Sequence, residues 1–437
     1  MSKSVIAIVG RANVGKSTLF NRIVRKQSAV IEDFPGITRD RIYGDAEWDE
    51  KGFLVVDTGG FLHEPDDEIY REVKGQVMLA IEEADIIIML MDADSGVLPQ
   101  DIELIDNLRK LDKQIFYAVN KIDGMRKEKA LYDFYSLGVD LVPLSAKNGN
   151  GYDDLMDKIV SLLPESNEEK SEYPRIAIVG RPNVGKSTLV NGLLSKERMI
   201  VSPVAGTTRD AVDSVCTYYS KKYVLVDTAG VRKKGKMAHT VEKYSFIRTL
   251  RNIEDSDISI IVLDASSGIV ELDQRIAGCV IQARKPAIVL VNKWDLVDKE
   301  KVTVADMINQ VRQKLWFMRY VPVVTISAMN KQRVTKLFPL VDNVIAESEK
   351  RISTHELNTF LSDTLAKKEP KLYKNTRVKI YYITQVKTKP PGFILFTNKK
   401  AGINQQYRKF LENQLRERFS FEGVTVDLYI KQRERKP

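Results

Sequence analysis

The chain has 437 residues, of which 43% are hydrophobic, with 68 lysines and arginines, 59 aspartates and glutamates, and two cysteines. That length predicts about two to four domains, and the longest apolar run, residues 86–91, is too short to cross a bilayer. Two cysteines are too few for a disulfide framework, and no signal-like segment leads the sequence. Secreted, membrane-spanning and disulfide-rich classes are therefore disfavoured, and we expect a cytoplasmic, monomeric protein with no membrane partner.

The excess positive charge is confined to the C-terminal end. Residues 351–437 carry 19 lysines and arginines and 8 acidic residues, a balance of +11, whereas residues 1–350 carry 49 and 51, a balance of −2. A basic module on a near-neutral body is typical of nucleic-acid binding, although a charged, solvated surface gives the same excess.

A long segment of the sequence occurs twice. Residues 5–19 recur almost unchanged as residues 175–189, an offset of 170 that grows to 172 at Asn120 and Asn292. This indicates a duplicated domain, because solenoid repeats have periods of roughly 20–50 residues. The acidic, polar stretch between the copies predicts a linker. The resulting boundaries are 1–164 for the first domain, 165–173 for the linker, 174–348 for the second domain and 349–437 for the basic module.

In each copy, short β-branched runs alternate with amphipathic stretches. In the first copy the sequence predicts strands at 5–9, 53–56, 86–91, 115–119 and 141–144, and helices near 16–25, 71–83, 98–111, 127–137 and 151–162. The alternation predicts an α/β fold, in which a mostly parallel sheet carries helices on both faces. Such a sheet binds ligands beyond the carboxyl ends of its strands.

The first motif at these strand ends is a glycine-rich loop that precedes a helix. Its members are Gly10, Arg11, Ala12, Asn13, Val14, Gly15, Lys16 and Ser17 in the first copy, and Gly180, Arg181, Pro182, Asn183, Val184, Gly185, Lys186 and Ser187 in the second. Such a loop turns backbone N–H groups towards a triphosphate. We expect its lysine to reach the β- and γ-phosphates and its serine to ligate Mg²⁺. Two matches in the same context exclude an ordinary turn.

The second motif is an aspartate at the end of an apolar strand, followed by a glycine whose N–H can meet the γ-phosphate. Its members are Asp57, Thr58, Gly59 and Gly60, and Asp227, Thr228, Ala229 and Gly230. An aspartate at a strand end is by itself often a turn former, but the spacing from the phosphate loop favours a magnesium-side carboxylate. Thr38 and Thr208, in the preceding loops, are predicted to cap Mg²⁺ when a γ-phosphate is present.

The third motif selects the base. Its members are Asn120, Lys121, Ile122 and Asp123 in the first copy, Asn292, Lys293, Trp294 and Asp295 in the second, and the later pairs Ser145 and Ala146, and Ser327 and Ala328. The two carboxylates can accept hydrogen bonds from guanine N1–H and the 2-amino group, a pair of donors that adenine does not offer. The order of motifs resembles the five-motif GTPase domain, and it predicts two sites for GTP or GDP.

The whole chain resembles the bacterial EngA/Der family, in which two P-loop GTPase domains precede a basic α+β KH-like domain. The resemblance implies GTP hydrolysis coupled to assembly of the large ribosomal subunit, with Mg²⁺ as cofactor and ribosomal RNA as partner. Ala12 departs from the proline that the family usually carries and that the second copy keeps as Pro182.

Many small GTPases place a glutamine after the second motif, where this chain has Phe61 and Val231. Asn13 and Asn183 occupy a position that resembles the potassium-linked asparagine of related GTPases. We therefore expect slow hydrolysis stimulated by K⁺, with a predicted catalytic set of Lys16, Thr38, Asn13, Lys186, Thr208 and Asn183. Alternatively, each asparagine only hydrogen-bonds its loop.

Two other functions are compatible with parts of the sequence. One is an RNA-binding module whose GTP sites are regulatory, and it stays open. The other is a small-molecule kinase, which the intact guanine motifs disfavour.

The basic module is predicted to have helices at 354–367 and 403–419 and strands at 377–384, 393–397 and 424–430. It lacks the Gly-x-x-Gly loop with which KH domains clamp RNA. Basic side chains are expected to contact phosphates instead, namely Lys387, Lys389, Lys399, Lys400, Arg408, Lys409, Arg416 and Arg418. Most of its strand aromatics, Tyr381, Tyr382, Phe393 and Phe396, are expected in the core. The basic stretch 231–236 predicts a surface for RNA that the nucleotide state of the second site exposes or hides.

Overall fold

The computed structural model describes residues 3–24, 43–58, 81–82, 84–124, 129–164, 172–194, 201–203, 213–228 and 246–433. The chain forms two compact units, one of Met1–Lys170 with Thr240–Asp255 and one of Ser171–His239 with Ser256–Pro437. Within the described ranges, every helix is too short or too polar to span a membrane.

A six-stranded sheet forms the centre of the first unit. Its strands are β1 (Ser4–Val9), β2 (Tyr43–Trp48), β3 (Lys51–Asp57), β4 (Ile86–Asp92), β5 (Gln114–Asn120) and β6 (Leu141–Pro143). They lie in the order β2-β3-β1-β4-β5-β6, and only β2 is antiparallel to its neighbour. The carboxyl ends of β1, β3, β4 and β5 therefore meet at one edge, where the predicted motifs lie.

Helices cover both faces of this sheet, namely α1 (Lys16–Val24), α2 (Pro99–Leu108), α3 (Leu131–Phe134) and α4 (Tyr152–Ser161). Alternate residues of β1 enter different cores, since Ile6 packs in the cluster with α1 and α4, and Ala7 in the cluster with α2 and α3. Every residue of β4 is buried, as expected for a strand covered on both faces. The predicted helix at 71–83 lies almost wholly outside the described residues.

The second copy repeats this sheet with one more strand. Its strands are β7 (Arg175–Val179), β8 (Val201–Pro203), β9 (Ser214–Tyr218), β10 (Lys221–Leu225), β11 (Ile258–Asp264), β12 (Ala287–Asn292) and β13 (Val323–Thr325). Their order is β13-β12-β11-β7-β10-β9-β8, with antiparallel pairing at β8-β9 and β9-β10 and parallel pairing elsewhere. The predicted pair of mostly parallel α/β sheets is confirmed.

The helices of the second copy are α5 (Lys186–Leu194), α6 (Phe246–Glu254), α7 (Glu271–Gln282), α8 (Val304–Lys314) and α9 (Leu337–Glu349). Of these, α6 belongs to the first compact unit. In that unit Arg251 lies 2.7 Å from the carboxylate of Asp85, and Glu254 lies 3.1 Å from Lys3. Helix α6 therefore belongs to the second copy by its position in the sequence but to the first compact unit in the structure.

The basic module has the predicted α-β-β-α-β order, with α10 (Thr354–Lys367), β14 (Ile380–Lys387), β15 (Gly392–Thr397), α11 (Gln405–Phe419) and β16 (Asp427–Gln432). β14 is antiparallel and β16 parallel to the central β15. The strand predicted at 377–384 instead begins at Ile380, because the side chain of Asn398 bonds both the Arg377 carbonyl and the Lys379 N–H. The strand predicted at 424–430 likewise lies at Asp427–Gln432.

A short loop joins this module to the second sheet within one unit. Ala287 N–H donates to the Gly423 carbonyl at 2.8 Å, and Gly423 N–H donates to the Tyr320 carbonyl at 2.9 Å. Val424 is fully buried in the core that β7 and α9 also enter. The module and the second α/β domain therefore share a core.

Candidate nucleotide-binding sites

Each phosphate loop begins with a glycine pressed against the neighbouring strand. Gly10 has a φ of 147° and Gly180 a φ of 154°. A Cβ at either position would overlap the carbonyl oxygen of Leu90 or Val262, on β4 and β11. Only glycine allows this conformation and this close approach, so the loop keeps its path between strand and helix.

The loop lysines reach back over the loop. Lys16 Nζ donates to the Gly10 carbonyl at 2.9 Å and the Arg11 carbonyl at 2.6 Å, and Lys186 makes the equivalent bonds in its own loop at 2.8 and 2.7 Å. Burial lowers the pKa of Lys16 from its ordinary value, and Asp57 partly opposes that change. A cation is thus fixed where the loop N–H groups would bind phosphate oxygens.

The residues predicted to ligate Mg²⁺ lie together in the first copy. Ser17 Oγ donates to Asp57 Oδ2 at 2.6 Å, and Asp57 is only 2% exposed. In the second copy Asp227 is buried and its N–H donates to Asp213 Oδ1 at 3.0 Å. A hydroxyl and a carboxylate are the hard oxygen ligands that Mg²⁺ prefers, so this donor set fits the ion. Bound there, the ion would neutralise developing phosphate charge.

The asparagines of the base-selecting motif hold loops together. Asn120 Nδ2 donates to the Val14 carbonyl at 2.8 Å, and its Oδ1 accepts from the Ala146 N–H at 2.8 Å. Asn292 makes the same pair of bonds to Val184 and Ala328, at 2.8 and 2.9 Å. Each buried amide therefore fixes the base-side loop to the phosphate loop.

The two predicted base selectors differ in their surroundings. In the first copy Asp123 Oδ1 accepts hydrogen bonds from Ser145 Oγ at 2.7 Å and Asn148 Nδ2 at 3.0 Å. In the second copy Asp295 Oδ1 is buried and has no hydrogen-bond partner among the described residues. An unpartnered buried acceptor is costly, and the N–H groups of guanine would satisfy it.

Sequence reasoning missed two further aspartates. Asp92 ends β4, and its Oδ2 lies 2.7 Å from Lys121 Nζ; Asp264 ends β11 and lies 2.6 Å from Lys293 Nζ. Burial opposes ionisation of Asp264, but hydrogen bonds from Lys293 and Ser266 outweigh it and lower its pKa to about 2. The signal was available, because both aspartates recur at the offset of 172 shared by the asparagines.

The remaining described members of the motifs shape the loops. Thr58 Oγ1 donates to the Ile8 carbonyl at 2.8 Å. Several others are buried, namely Val14, Val184, Ile122, Trp294, Ser145 and Ser327. Other predicted residues lie outside the described part of the chain: Thr38, Gly59, Gly60, Phe61, Thr208, Ala229, Gly230, Val231 and the basic stretch 231–236.

The basic side chains of the C-terminal module are not equivalent. Arg416 donates to the carbonyls of Phe421 and Val424 at 2.9 and 2.8 Å, and its guanidinium lies 3.8 Å from the centre of the Tyr320 ring. Its predicted role as a phosphate contact is wrong, because its donors serve the junction with the second domain. Others are exposed, namely Lys389, Lys399, Lys400, Lys409 and Arg418.

The aromatic residues of the module's strands also differ in burial. Phe393 is fully buried, as predicted, whereas Tyr381 and Tyr382 are 45% and 36% exposed. The expectation that most of them are core is therefore wrong for the two tyrosines, which lie at the β14 edge of the sheet. Tyr382 stacks on the half-buried Phe396 with ring centres 4.3 Å apart.

Together, two phosphate loops, two base-selecting motifs and their parallel sheets define a protein with two P-loop GTPase domains. A family model described as "50S ribosome-binding GTPase" matches residues 5–121 and 175–293, and one described as the KH-like C-terminal domain of EngA bacterial GTPases matches residues 351–431. The chain belongs to the EngA/Der family of GTPases.

Its relatives match over nearly their whole length. A protein named GTPase Der from Thermodesulfovibrio yellowstonii is 47% identical, over 98% of this chain and 99% of its own. GTPase Der from Caldanaerobacter subterraneus is 45% identical, over 99% of each chain. GTPase Der from Clostridium novyi is 45% identical, over 99% of this chain and all of its own.

Proposed function

We propose that the chain is a GTP-hydrolysing switch that acts in the bacterial cytoplasm, as a monomer, in assembly of the large ribosomal subunit. Its C-terminal module binds ribosomal RNA, and the nucleotides in the two GTPase domains control that binding. The family-model description as a 50S ribosome-binding GTPase supports this role. The single observation that carries it is a basic module sharing a core with a GTP-binding domain.

Hydrolysis uses residues of each copy in fixed roles. Lys16 and Lys186 hold the β- and γ-phosphates, and Asp123 and Asp295 orient the nucleotide through guanine. Ser17 with Asp57, and Ser187 with Asp227, would hold Mg²⁺, and Thr38 and Thr208 would be its further ligands when a γ-phosphate is bound. Catalysis is then mainly positioning and charge stabilisation, as expected for phosphoryl transfer.

Asn13 and Asn183 would hold a potassium ion that supplies further positive charge at each site. Asn13 and Asn183 have left-handed backbones, with φ of 64° and 62°, and their side chains are exposed at the loop rim. Neither side chain hydrogen-bonds any residue in the described part of the chain, which speaks against the alternative that they only brace the loop. Turnover of GTP in potassium should exceed turnover in sodium, and equal rates in both salts would refute this role.

The exposed face of the module's sheet supports RNA binding. Tyr382 on β14 pairs with Phe396 on β15, which pairs in turn with Lys431 on β16. Arg433 lies 5.7 Å from the Tyr381 ring centre. Aromatic rings that can stack on bases, next to cations that can meet phosphates, suit unpaired RNA.

Co-sedimentation with ribosomal subunits tests the proposal. We expect the chain to pellet with large subunits, more strongly with a non-hydrolysable GTP analogue than with GDP, and less as salt rises. Neutralising Arg232, Lys233, Lys234 and Lys236 should weaken this binding. Equal pelleting with small and large subunits in every nucleotide state would contradict the proposal.

A second candidate function is an RNA-binding protein whose GTP sites are regulatory ligands. The hydrogen-bonded surroundings of Asp123, unlike those of Asp295, favour different behaviour of the two sites. Hydrolysis that neither large subunits nor potassium raises above background would favour this candidate.

A further inference from the structure

One repeated segment contacts both the phosphate loop and the base-selecting lysine in each copy. We call it the brace; it comprises residues 92–101 in the first copy and 264–273 in the second. Each brace runs from the end of β4 or of β11, its counterpart in the second copy, into the following helix, α2 or α7. Neither is part of the nucleotide-binding motifs described above.

The first brace holds the side chain of Arg11. Arg11 Nε donates to Asp101 Oδ2 at 3.2 Å, and its terminal nitrogen donates to Ser95 Oγ. Asp101 is 1% exposed, and the same Oδ2 accepts from the Leu98 N–H at 3.1 Å. Its other oxygen is buried without a hydrogen-bond partner among the described residues. The carboxylate therefore depends on Arg11 for charge compensation.

The second brace repeats this arrangement. Arg181 Nε lies 3.2 Å from Asp273 Oδ2, and Asp273 is fully buried. Arg181 also donates to Ser267 Oγ and to the Gly268 carbonyl, the latter at 3.3 Å. Both copies of the domain therefore place an arginine–aspartate ion pair beside the phosphate loop.

The opposite end of each brace holds the base-side loop. Asp92 and Asp264 pair with Lys121 and Lys293, as described above. The next residue also bonds the base-side asparagine, since Ala93 N–H donates to the Asn120 carbonyl at 3.0 Å. Ala265 makes the same bond to Asn292 at 2.9 Å. One segment therefore contacts both the phosphate loop and the base-side loop of the nucleotide pocket.

We propose that the brace sets the separation between the phosphate loop and the guanine pocket, and that Asp101 and Asp273 are positioning residues for the nucleotide phosphates. The carbonyls of Arg11 and Arg181 accept from the loop lysines, so fixing these arginines also fixes the lysine positions. This role of the brace rests on the GTP sites proposed above. Removing the carboxylate charge frees the arginine, and the loop loses its preformed shape before the phosphates bind.

Nucleotide release from the full chain tests this proposal. Dissociation of fluorescent GDP and fluorescent GMP is followed by stopped flow, well below the melting temperature of each variant. Asp101→Asn should accelerate GDP release from one of the two sites about tenfold, and Asp273→Asn should accelerate release from the other. GMP release should change less than about twofold, because GMP makes fewer contacts with the phosphate loop.

A merely structural role predicts a different result. It would lower stability and speed the release of GDP and GMP alike, and that outcome would overturn the proposal. So would unchanged GDP release in both variants. Arg11→Lys, which keeps the charge but not the fork that spans Ser95 and Asp101, should act in the same direction as Asp101→Asn. It keeps the proposal testable if Asp101→Asn fails to fold.

Matched controls lie outside the brace. Asp106→Asn neutralises an exposed carboxylate of α2, and Glu300→Gln neutralises an exposed one of the second GTPase domain. Both should leave the release of GDP unchanged. If the unmodified chain binds fewer than two GDP, the proposed pair of sites fails, and this result is distinct from two normal sites that ignore Asp101 and Asp273.

Discussion

Asn120 and Val14 are 106 residues apart in the sequence, yet the Asn120 side-chain amide donates to the Val14 carbonyl at 2.8 Å in the interior. The same amide accepts from Ala146, so one side chain joins three loops of the site. Asn292 repeats the junction in the second copy. The asparagine of the base-selecting motif is thus a structural connector of the pocket.

Asn120→Ala should weaken both nucleotide binding and stability. It leaves the Val14 carbonyl and the Ala146 N–H buried without partners, which costs about 2–4 kcal/mol. Urea unfolding of the full chain and titration with fluorescent GDP measure the two effects. Asn107→Ala, at an exposed position of α2, should change stability by less than about 0.5 kcal/mol. Equal effects at both positions would contradict the connector role.

Gly10→Ala should abolish nucleotide binding at the first site, because the added methyl meets the Leu90 carbonyl. Gly124→Ala is the matched control, since Gly124 has a similar φ of 155° but nothing near the added methyl. Backbone strain is then common to both variants, and only the first displaces the loop. The number of fluorescent GDP molecules bound per chain should fall from two to one for Gly10→Ala alone.

Asp264 should make stability depend on acid pH. Its pKa falls from 3.8 to about 2 on folding, so the carboxylate stabilises the fold above its unfolded pKa. That contribution, about 2 kcal/mol, should be lost as pH falls from about 5 towards 2. Asp264→Asn should reduce stability at neutral pH and flatten this part of the profile. Urea unfolding between pH 3 and 6 measures the slope, and an unchanged slope would argue against the ion pair with Lys293.

Exposed lysines of the module should set the salt dependence of RNA binding. The double change Lys399→Glu and Lys400→Glu removes up to two phosphate contacts, so the slope of log affinity against log salt should become shallower by about 1.5. Lys301→Glu, on a lysine side chain that is 81% exposed in the second GTPase domain, is the control and should leave the slope unchanged. Fluorescence anisotropy with a ribosomal RNA fragment at several salt concentrations measures it.

Arg416→Ala should lower the stability of the fold much more than it lowers the affinity for RNA. Burial lowers the pKa of Arg416 from its ordinary value, and burial also raises the pKa of Tyr320 beneath it to about 12. Loss of the guanidinium leaves two carbonyls unpaired, so we expect about 2–4 kcal/mol of destabilisation. RNA affinity of the remaining folded protein should stay within about threefold of the original. A normal melting temperature together with lost RNA binding would instead support a role of Arg416 as a phosphate contact.

The sequence was sufficient for the duplicated fold and for the loops, because the glycines, Lys16 and Asn120 are recognisable from their spacing. It was not sufficient for Asp101 or Asp92, which do not belong to a named motif and acquire a role only when β4 and α2 bring them to Arg11 and Lys121. Their repetition at a constant offset was visible, but pattern alone does not tell a buried carboxylate from a helix-start residue.

In the C-terminal module, too, the sequence predicts the overall character but not the environment of individual side chains. Charge correctly marked it as the basic part of the chain, yet charge cannot tell Arg416, whose donors serve two carbonyls, from the exposed Lys399. Alternation in β14 predicted buried aromatics, but the strand lies at a sheet edge and bends at an irregular register between Ile380 and Tyr382. Edge position is a property of the tertiary fold, so Tyr381 and Tyr382 could not be placed from the strand pattern.

Strand β12 fixes the distance between two contacts of the second GTPase domain, one at each of its ends. Its first residue, Ala287, is hydrogen-bonded to the basic module through Gly423, and its last, Asn292, is hydrogen-bonded to the phosphate loop through Val184. Six residues of strand span about 17 Å between those ends. RNA bound by the module, as proposed above, would therefore lie at a fixed distance from the guanine of the second site. Insertions in surface loops would leave that distance unchanged. One residue added within β12 would instead move the following side chains to the opposite face of the sheet and change the distance.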